Sequence, residues 1–362
     1  MTTFNASDIV EEKKLFSPPC PHILFPLRYE WAWENYKDML ANHWTPMEIP
    51  MAPDIHCWDR EMEEHEKVMF ETVFAQLTTF DLLRGIDISE SLSGVISTPE
   101  IKHALATQAF QEALHTHAYQ YCIENLGLDQ ISVYTMYLKH PALLNRVKFA
   151  SECSESIKNL QSKAYESPIN GAIYSEEQIT HIFLATAFWY LAFEGIWFMA
   201  NLFGPIQSLA VRGKMKATAE QFQYIARDET LHVSFGVSLL KSMIAEHPHL
   251  ASKPVLKSVL QIIVKAVDLE YAFAEHAIVQ KTINYSIETH MDIVYALANR
   301  RLESIGLEKA FPSVDIPSWI EAALVTKKEK NFFETRVTDY ALGQLDLGFQ
   351  SESIGNICDW RK

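Results

Sequence analysis

The amino-acid sequence predicts an all-α protein, a helical bundle built around a dinuclear carboxylate metal site. Glycine is scarce, at 12 of 362 residues, as expected of long helices with few tight turns. No segment has the alternating polar and apolar pattern of a β-strand. Glu112 and His115 share one helix face because they lie three residues apart, and Glu229 and His232 repeat that spacing 117 residues later.

Apolar residues recur with helical spacing over most of the chain. Ser97-Thr98-Pro99-Glu100 marks a helix start, because hydroxyls cap a helix, proline fits its first turn and an acid favours its positive end. We expect helices at about 29–41, 60–86, from 99 through the Glu112 stretch, 129–170, 176–203 and 214–246. Helical patterning then continues to about 301, with breaks near Pro254 and Asn284.

These segments divide the chain into three regions. Residues 1–28 contain four prolines and are expected to form an extended N-terminal arm. Residues 29–330 are expected to form the helical domain. Residues 331–362 lose helical periodicity, and we expect a flexible C-terminal tail there.

The composition argues against several classes of protein. The net charge of −15 is wrong for a nucleic-acid-binding surface, which needs clustered lysine and arginine. The five cysteines are widely spaced and include no Cys-x-x-Cys pair, so neither a disulfide framework nor a thiolate zinc site is expected. Since the N-terminus also lacks a signal peptide, the expected location is the reducing cytoplasm.

The most apolar segment, 182–203, is long enough to span a membrane. Glu194 interrupts it, and burying an unpaired carboxylate is energetically unfavourable by several kcal/mol. A lone membrane helix is therefore the weaker interpretation. We predict a central bundle helix that is apolar on all sides, and no membrane partner.

Two acids in apolar segments complete a repeated pattern. Asp81 precedes Glu112 by 31 residues, and Glu194 precedes Glu229 by 35 residues. Each half of the chain thus supplies one carboxylate from one helix and a Glu/His pair from the next, as in dinuclear sites of helical bundles. Four carboxylates balance two divalent cations, and oxygen-rich ligation with one histidine per metal favours iron or manganese.

A single Glu-x-x-His spacing is a weak signal, and the chain contains decoys. Glu100 and His103 have the spacing but lie 12 residues before Glu112, about 120° away around the same helix. Glu100 is better explained as an acid at a helix N-terminus. The pair Glu246 and His249 is interrupted by a proline.

Tyr119 lies one turn beyond His115 on the same face. It is either an ordinary core tyrosine or a phenol that loses an electron and a proton beside an oxygen-reactive metal pair. Phe198, Ile225 and Phe110 are apolar and suited to shielding such a radical, and equally suited to a plain core.

Several stretches match one known family: RYEWAWENY, ANHWTPMEIPM, HEKVMF, QEALHTHAY, EGIWF, YIARDETLH, RRLESIGL and NFFETRVTDY. Through them the sequence resembles the small, radical-generating subunit of class I ribonucleotide reductase over nearly its whole length. The resemblance implies a ferritin-like helical bundle that forms a homodimer, holds two metal ions and stores a radical on Tyr119. The ligands that it implies are the six residues that spacing selects, in two sets: Asp81, Glu112 and His115; Glu194, Glu229 and His232.

The resemblance also implies a radical relay to a separate catalytic large subunit, which reduces ribonucleotides to deoxyribonucleotides. Its members would be Trp44, hydrogen-bonded through Asp228 to His115, and Tyr340 in the tail. Trp44 alone could be a core residue, and Asp228 an acid that orients an imidazole. The tail would dock on the large subunit. Its ending, GNICDWRK, is basic, whereas the family leads one to expect an acidic or apolar ending.

Several details of these sequence stretches are most similar to a subgroup of the family that uses a manganese–iron pair and has phenylalanine in place of the radical tyrosine. This chain departs from it by keeping Tyr119 and by having Asp81 as first ligand. A diiron centre with a tyrosyl radical is therefore expected, with manganese or a manganese–iron pair as the alternative. Other functions left open are a ferritin-like ferroxidase, with no role for Trp44 or Tyr340, and a ligand-binding di-metal oxidase, with a cavity at Tyr119.

Overall fold

The computed structural model describes residues 10, 13–16, 23–158, 160 and 174–320. Every regular element in this part of the chain is helical and none is a β-strand, which confirms the predicted all-α class. The α-helices of five or more residues are α1 Glu30–Ala41, α2 Ala52–Arg60, α3 Glu64–Asp87, α4 Pro99–Leu126, α5 Gln130–Lys139, α6 Pro141–Lys158, α7 Glu176–Ala187, α8 Met199–Phe203, α9 Pro205–Ala210, α10 Lys216–Glu246, α11 Lys253–Ala277 and α12 Ile287–Ser304. A π-helical segment, Phe188–Phe198, joins α7 to α8, and a shorter π-helix lies at Ile88–Leu92. Short helical turns lie at Pro46–Glu48, Ser93–Val95 and Pro248–Ala251.

Most helix ends agree with the sequence prediction to within a few residues. One helix was missed: α2, Ala52–Arg60, lies between the predicted helices at 29–41 and 60–86. Pro53 lies in the first turn of that helix, where its missing N–H has no intrahelical partner to lose. The described part of the predicted helix at 129–170 is two helices, α5 and α6, and residues 159 and 161–170 lie outside the described residues. The two helices are separated at His140, whose backbone is extended before Pro141 as residues preceding proline tend to be.

Four elements surround the centre of the bundle. Helix α3 packs along α4, and α10 packs along both α4 and the π-helical segment. Large side chains that are almost fully buried fill the space between the helices, among them Phe70, Phe74, Phe80, Phe183 and Trp197. A polar group on an inner face of these four elements is therefore shielded from water.

The start of α10 is fixed by contacts from two other helices. Asp54 on α2 accepts hydrogen bonds from the backbone N–H of Ala217 at 3.0 Å and of Thr218 at 2.7 Å, so a carboxylate on another helix caps this N-terminus. Buried Glu66 on α3 pairs with Arg212 at 2.5 Å and Lys214 at 2.6 Å. These contacts set the position of the helix that carries Asp228, Glu229 and His232.

The helical stretch Glu176–Ala210 is apolar and long enough to cross a membrane, yet 94% of its most apolar part lies inside the protein. The stretch is therefore a core helix, as the sequence predicted. Its burial is consistent with a soluble protein.

The π-helical segment depends on two glycines that leave room for its neighbours. A Cβ atom at Gly236 on α10 would lie 2.0 Å from Cγ of Tyr190, and one at Gly195 would lie 2.8 Å from Nε of Arg301. Arg301 Nε donates to the carbonyl oxygen of Gly195 at 3.0 Å. Since π-helical turns are rare and frequent at functional sites, the segment directs attention to Glu194 within it.

The described part of the N-terminal arm packs on the bundle. Lys13 is fully buried; its Nζ donates to the carbonyl oxygens of Leu24 and Pro26 at 2.6 Å and lies 3.6 Å from Glu100. The backbone N–H of Arg28 donates to Glu100 at 2.9 Å. The decoy acid Glu100 thus anchors the arm, and the predicted boundaries of arm, domain and tail stay a prediction.

Candidate metal centre

Six buried side chains from four helical elements meet in two overlapping clusters. Asp81, Glu112, His115 and Glu229 each offer one ligand atom, and these atoms lie within 4.8 Å of one another. The same holds for Glu112, Glu194, Glu229 and His232. Glu112 and Glu229 belong to both clusters, so each can bridge two metal ions. Spacing had assigned Glu112 to one metal and Glu229 to the other, and bridging could not be read from it.

Both imidazoles present the same nitrogen to the clusters. His115 Nδ1 lies 3.3 Å from Glu229 Oε1 and 3.6 Å from Glu112 Oε2. His232 Nδ1 lies 3.3 Å from Glu112 Oε1 and 3.4 Å from Glu229 Oε2. Each histidine therefore lies beside a different oxygen of the same two carboxylates.

The other ring nitrogens are held from behind. His115 Nε2 lies 3.3 Å from Asp228 Oδ2, and His232 Nε2 lies 2.9 Å from the amide oxygen of Gln111. A partner of this kind fixes the orientation and tautomer of a ligating imidazole. Gln111 was not singled out from the sequence, although it directly precedes Glu112.

The donor atoms of this centre fit two divalent cations. Nine buried atoms of these six side chains have no hydrogen-bond partner: both oxygens of Asp81, Glu112 and Glu229, Oε2 of Glu194, and Nδ1 of His115 and His232. Burying polar atoms unpaired is costly, and native proteins seldom do so without a reason. Oxygen-rich sets with one histidine per metal suit iron and manganese.

The protonation of these groups reflects their confinement. Burial, followed by the neighbouring Glu112, raises the pKa of Asp81 well above its usual range. Burial likewise raises the pKa of Glu194 to about 8, even though Arg84 opposes the shift. Burial alone would lower the pKa of His232, but Glu229 and Glu112 raise it to about 10. The centre therefore holds protons that bound cations would displace.

Glu194 has supports of its own within the π-helical segment. Its Oε1 accepts from Arg84 Nε at 2.5 Å and from Gln108 Nε2 at 2.7 Å. Gln108 is in turn fixed by Tyr190, whose hydroxyl donates to its Oε1 at 2.9 Å. Arg84 was not selected from the sequence, although a cation three residues after Asp81 in an apolar stretch is a usable signal.

Tyr119 is fully buried beside the first cluster. Its hydroxyl has no hydrogen-bond partner, and burial, followed by Asp81, raises its pKa well above 10. The rings of Phe74 and Phe222 contact it edge-on, with centroids 5.9 Å and 5.7 Å away. Aromatic rings thus pack against Tyr119 where a ligand-binding oxidase would need a cavity.

One of the residues predicted to shield Tyr119 does not do so. Phe198 and Ile225 are buried, but Phe110 is 52% exposed and contacts His43. Phe110 lies nine residues before Tyr119 on α4, which is half a turn away in angle. The two side chains therefore point to opposite sides of the helix.

Trp44 is connected to the first cluster by hydrogen bonds. Its indole Nε1 donates to Asp228 Oδ2 at 2.8 Å, and the same oxygen lies 3.3 Å from His115 Nε2. All three side chains are buried. Tyr340, the remaining candidate, lies outside the described residues.

The sequence profile of the family described as "Ribonucleotide reductase, small chain" matches residues 22–317. The chain belongs to the ribonucleotide reductase small-chain family. The beta subunit of ribonucleoside-diphosphate reductase from Chlamydia pneumoniae is 34% identical over 318 residues, which cover 88% of this chain and 89% of that protein. Small chains of this family generate the radical used by the catalytic subunit, so the protein is the radical-generating part of an oxidoreductase with a large-subunit partner.

Solved structures of small chains share the fold. A putative class I ribonucleotide reductase from Bacillus halodurans is 25% identical with a TM-score of 0.69, covering 81% of this chain and 99% of that one. The dimanganese(II)-NrdF of Streptococcus sanguinis is 17% identical with a TM-score of 0.67, covering 82% and 95%. The predicted ferritin-like bundle is confirmed, and the match favours a small chain over the ferroxidase and ligand-binding oxidase alternatives.

Proposed function

We propose that this small chain stores its radical on Tyr119, which is oxidised by a diiron centre bound to Asp81, Glu112, His115, Glu194, Glu229 and His232. The observation that carries the proposal is the overlap of the two clusters, whose unpartnered donor atoms converge beside an unpartnered phenol. In a protein that binds no metal, these buried donor atoms would have no partner and no structural role.

A redox-active metal pair in these clusters would activate dioxygen and supply the one-electron oxidant for Tyr119. Oxidation of the phenol removes an electron from the ring and a proton from the hydroxyl. Asp81 is the carboxylate with the largest effect on that hydroxyl, and neither of its oxygens has a hydrogen-bond partner, so we assign it as the proton acceptor. Phe74 and Phe222 exclude water, which protects a stored radical.

Iron is the expected metal, with manganese or a manganese–iron pair as the alternative. The donor set supports both metals, since each accepts carboxylate and imidazole ligands. The fold shared with a dimanganese small chain keeps manganese open. Retention of Tyr119 favours a tyrosyl radical, and with it diiron.

The radical equivalent would leave through His115, Asp228 and Trp44 towards the large subunit. The two short contacts to the shared Asp228 oxygen support this route, because they link the cluster to an indole without a gap. Tyr340 would continue the relay from the C-terminal tail, which would dock on the large subunit.

Two further properties belong to the proposal. Homodimer formation is supported by apolar side chains that α3 and α4 expose, since Leu82 and Ile86 are each 47% exposed and Phe110 52%. A cytoplasmic location is supported by Cys57 and Cys122, which form no disulfide, and by the burial of the apolar helix.

Metal quantification tests the ligand assignment. The wild-type protein loaded anaerobically with ferrous iron should bind two ions per chain, and His232→Ala should bind about one, because one cluster loses its only nitrogen donor. His103→Ala is the matched control, since His103 is the exposed histidine of the decoy pair, and it should retain two. Two ions per chain in His232→Ala would overturn the assignment.

A further inference from the structure

The two clusters of the candidate metal centre differ in how their unshared carboxylate is held. In the His115 cluster this carboxylate is Asp81, and neither of its oxygens has a hydrogen-bond partner. In the His232 cluster it is Glu194, whose Oε1 is occupied by Arg84 and Gln108, so that only Oε2 is unpartnered.

Arg84 is held in place on several sides. It is fully buried, its Nη1 lies 3.2 Å from Asp87 Oδ2, and its guanidinium lies 4.4 Å above the ring of Tyr190 and 5.2 Å from that of Trp189. Moving it would leave the buried Asp87 and Glu194 carboxylates without their cation, which is strongly unfavourable. The positive charge beside Glu194 is therefore a fixed part of the fold.

The His115 cluster has a different electrostatic environment. On that side Arg227 lies 3.8 Å from Asp228 Oδ1, and Asp228 contacts the rear nitrogen of His115. The Arg227 cation thus stays one residue removed from the carboxylates that would bind metal. Because charges interact more strongly inside a protein than in water, a cation in direct contact with Glu194 should weaken binding of a second cation there.

We propose, on the basis of the proposed function, that Arg84 makes the two metal positions unequal by engaging Glu194. The His115 position then binds a divalent cation about tenfold or more tightly than the His232 position, as expected for a buried like charge within a few ångströms. Arg84 is a positioning residue: it acts on the metal through Glu194. The protein loads its metals in a fixed order, His115 position first.

The test uses the full chain crystallised with one equivalent of Mn²⁺ and measures anomalous scattering at the manganese edge. In the wild type, the position beside His115 should have about tenfold higher occupancy than the position beside His232. Arg84→Gln should bring the two occupancies close together. Arg84→Lys, which keeps the charge, should preserve the wild-type preference. These occupancies do not depend on catalytic activity.

A matched control separates this effect from the general loss of a buried arginine. Arg146 is also fully buried and pairs with Glu270 at 2.6 Å, but it contacts none of the proposed ligands. Arg146→Gln should leave the occupancy ratio unchanged. If Arg84→Gln does not fold, Gln108→Ala provides the comparison. It removes the neutral donor to Glu194 and the acceptor of the Tyr190 hydroxyl but leaves the Arg84 charge in place, so it should keep the wild-type ratio.

Three results would overturn the inference. They are equal occupancy in the wild type, an unchanged ratio in Arg84→Gln, and a ratio lost in Gln108→Ala, which would assign the difference to hydrogen bonding instead of charge. Metal bound equally at both positions would leave the proposed function standing. Absence of metal from both positions would overturn the proposed function and this inference together.

Discussion

Replacing Tyr119 with phenylalanine should stabilise the metal-free protein and abolish the radical of the metal-loaded protein. The Tyr119 hydroxyl is buried and has no hydrogen-bond partner, and an unsatisfied buried polar group costs about 1–3 kcal/mol. Phenylalanine keeps the ring and its edge contacts with Phe74 and Phe222. We therefore expect Tyr119→Phe to raise the free energy of unfolding by about 1 kcal/mol.

Urea denaturation of the metal-free protein measures this effect, and Tyr190→Phe is the matched control. Tyr190 is equally buried, but its hydroxyl donates to Gln108. Removing it leaves the Gln108 oxygen unpaired, so Tyr190→Phe should lower the free energy of unfolding by about 1–2 kcal/mol. A Tyr119→Phe protein destabilised as much as Tyr190→Phe would refute the reasoning, since it would mean that the Tyr119 hydroxyl is hydrogen-bonded.

Three other predictions concern the supports of the centre. Gly236→Ala should destabilise the protein by about 1–3 kcal/mol or more, because its Cβ would overlap Tyr190; an unchanged urea midpoint would contradict this packing. Asp54→Ala should lower the free energy of unfolding by about 2 kcal/mol through loss of the α10 cap, and a loss under about 0.5 kcal/mol in urea would contradict it. Metal binding should release protons and strengthen with rising pH, because the pKa of His232 is raised to about 10 and a ligating imidazole must be neutral; calorimetry in buffers of different ionisation enthalpy would contradict this if it found no proton release.

The sequence was most informative where function depends on helical spacing. Glu112, His115 and Tyr119 fall on one face because three and four residues approximate one turn, and this remains true in any straight helix. Asp81 and Glu194 could be selected because an acid in an apolar helix requires a partner. That they lie close to the Glu/His pairs was inferred from the number of acids and the charge of two divalent cations. The structure brings the six side chains together.

The remaining features depend on tertiary contacts that periodicity does not encode. The π-helical turns around Glu194 change which side chains share a face of the helix. They occur together with the packing of Tyr190 against Gly236 on α10. The role of Arg84 depends on a residue 110 positions away in the chain. Phe110 was misplaced for a simpler reason: its apolar character suggested burial, whereas its position on α4 is opposite to Tyr119.

The proposed function depends on oxidation of Tyr119 by the metal pair. Its most direct test is an electron paramagnetic resonance spectrum of the full-length protein, recorded with metal quantification after ferrous loading and exposure to air. We predict a tyrosyl doublet with resolved hyperfine structure that is absent from Tyr119→Phe. A spectrum without this doublet at full iron occupancy, or one unchanged in Tyr119→Phe, would rule out a radical on Tyr119 and place the stored oxidant elsewhere.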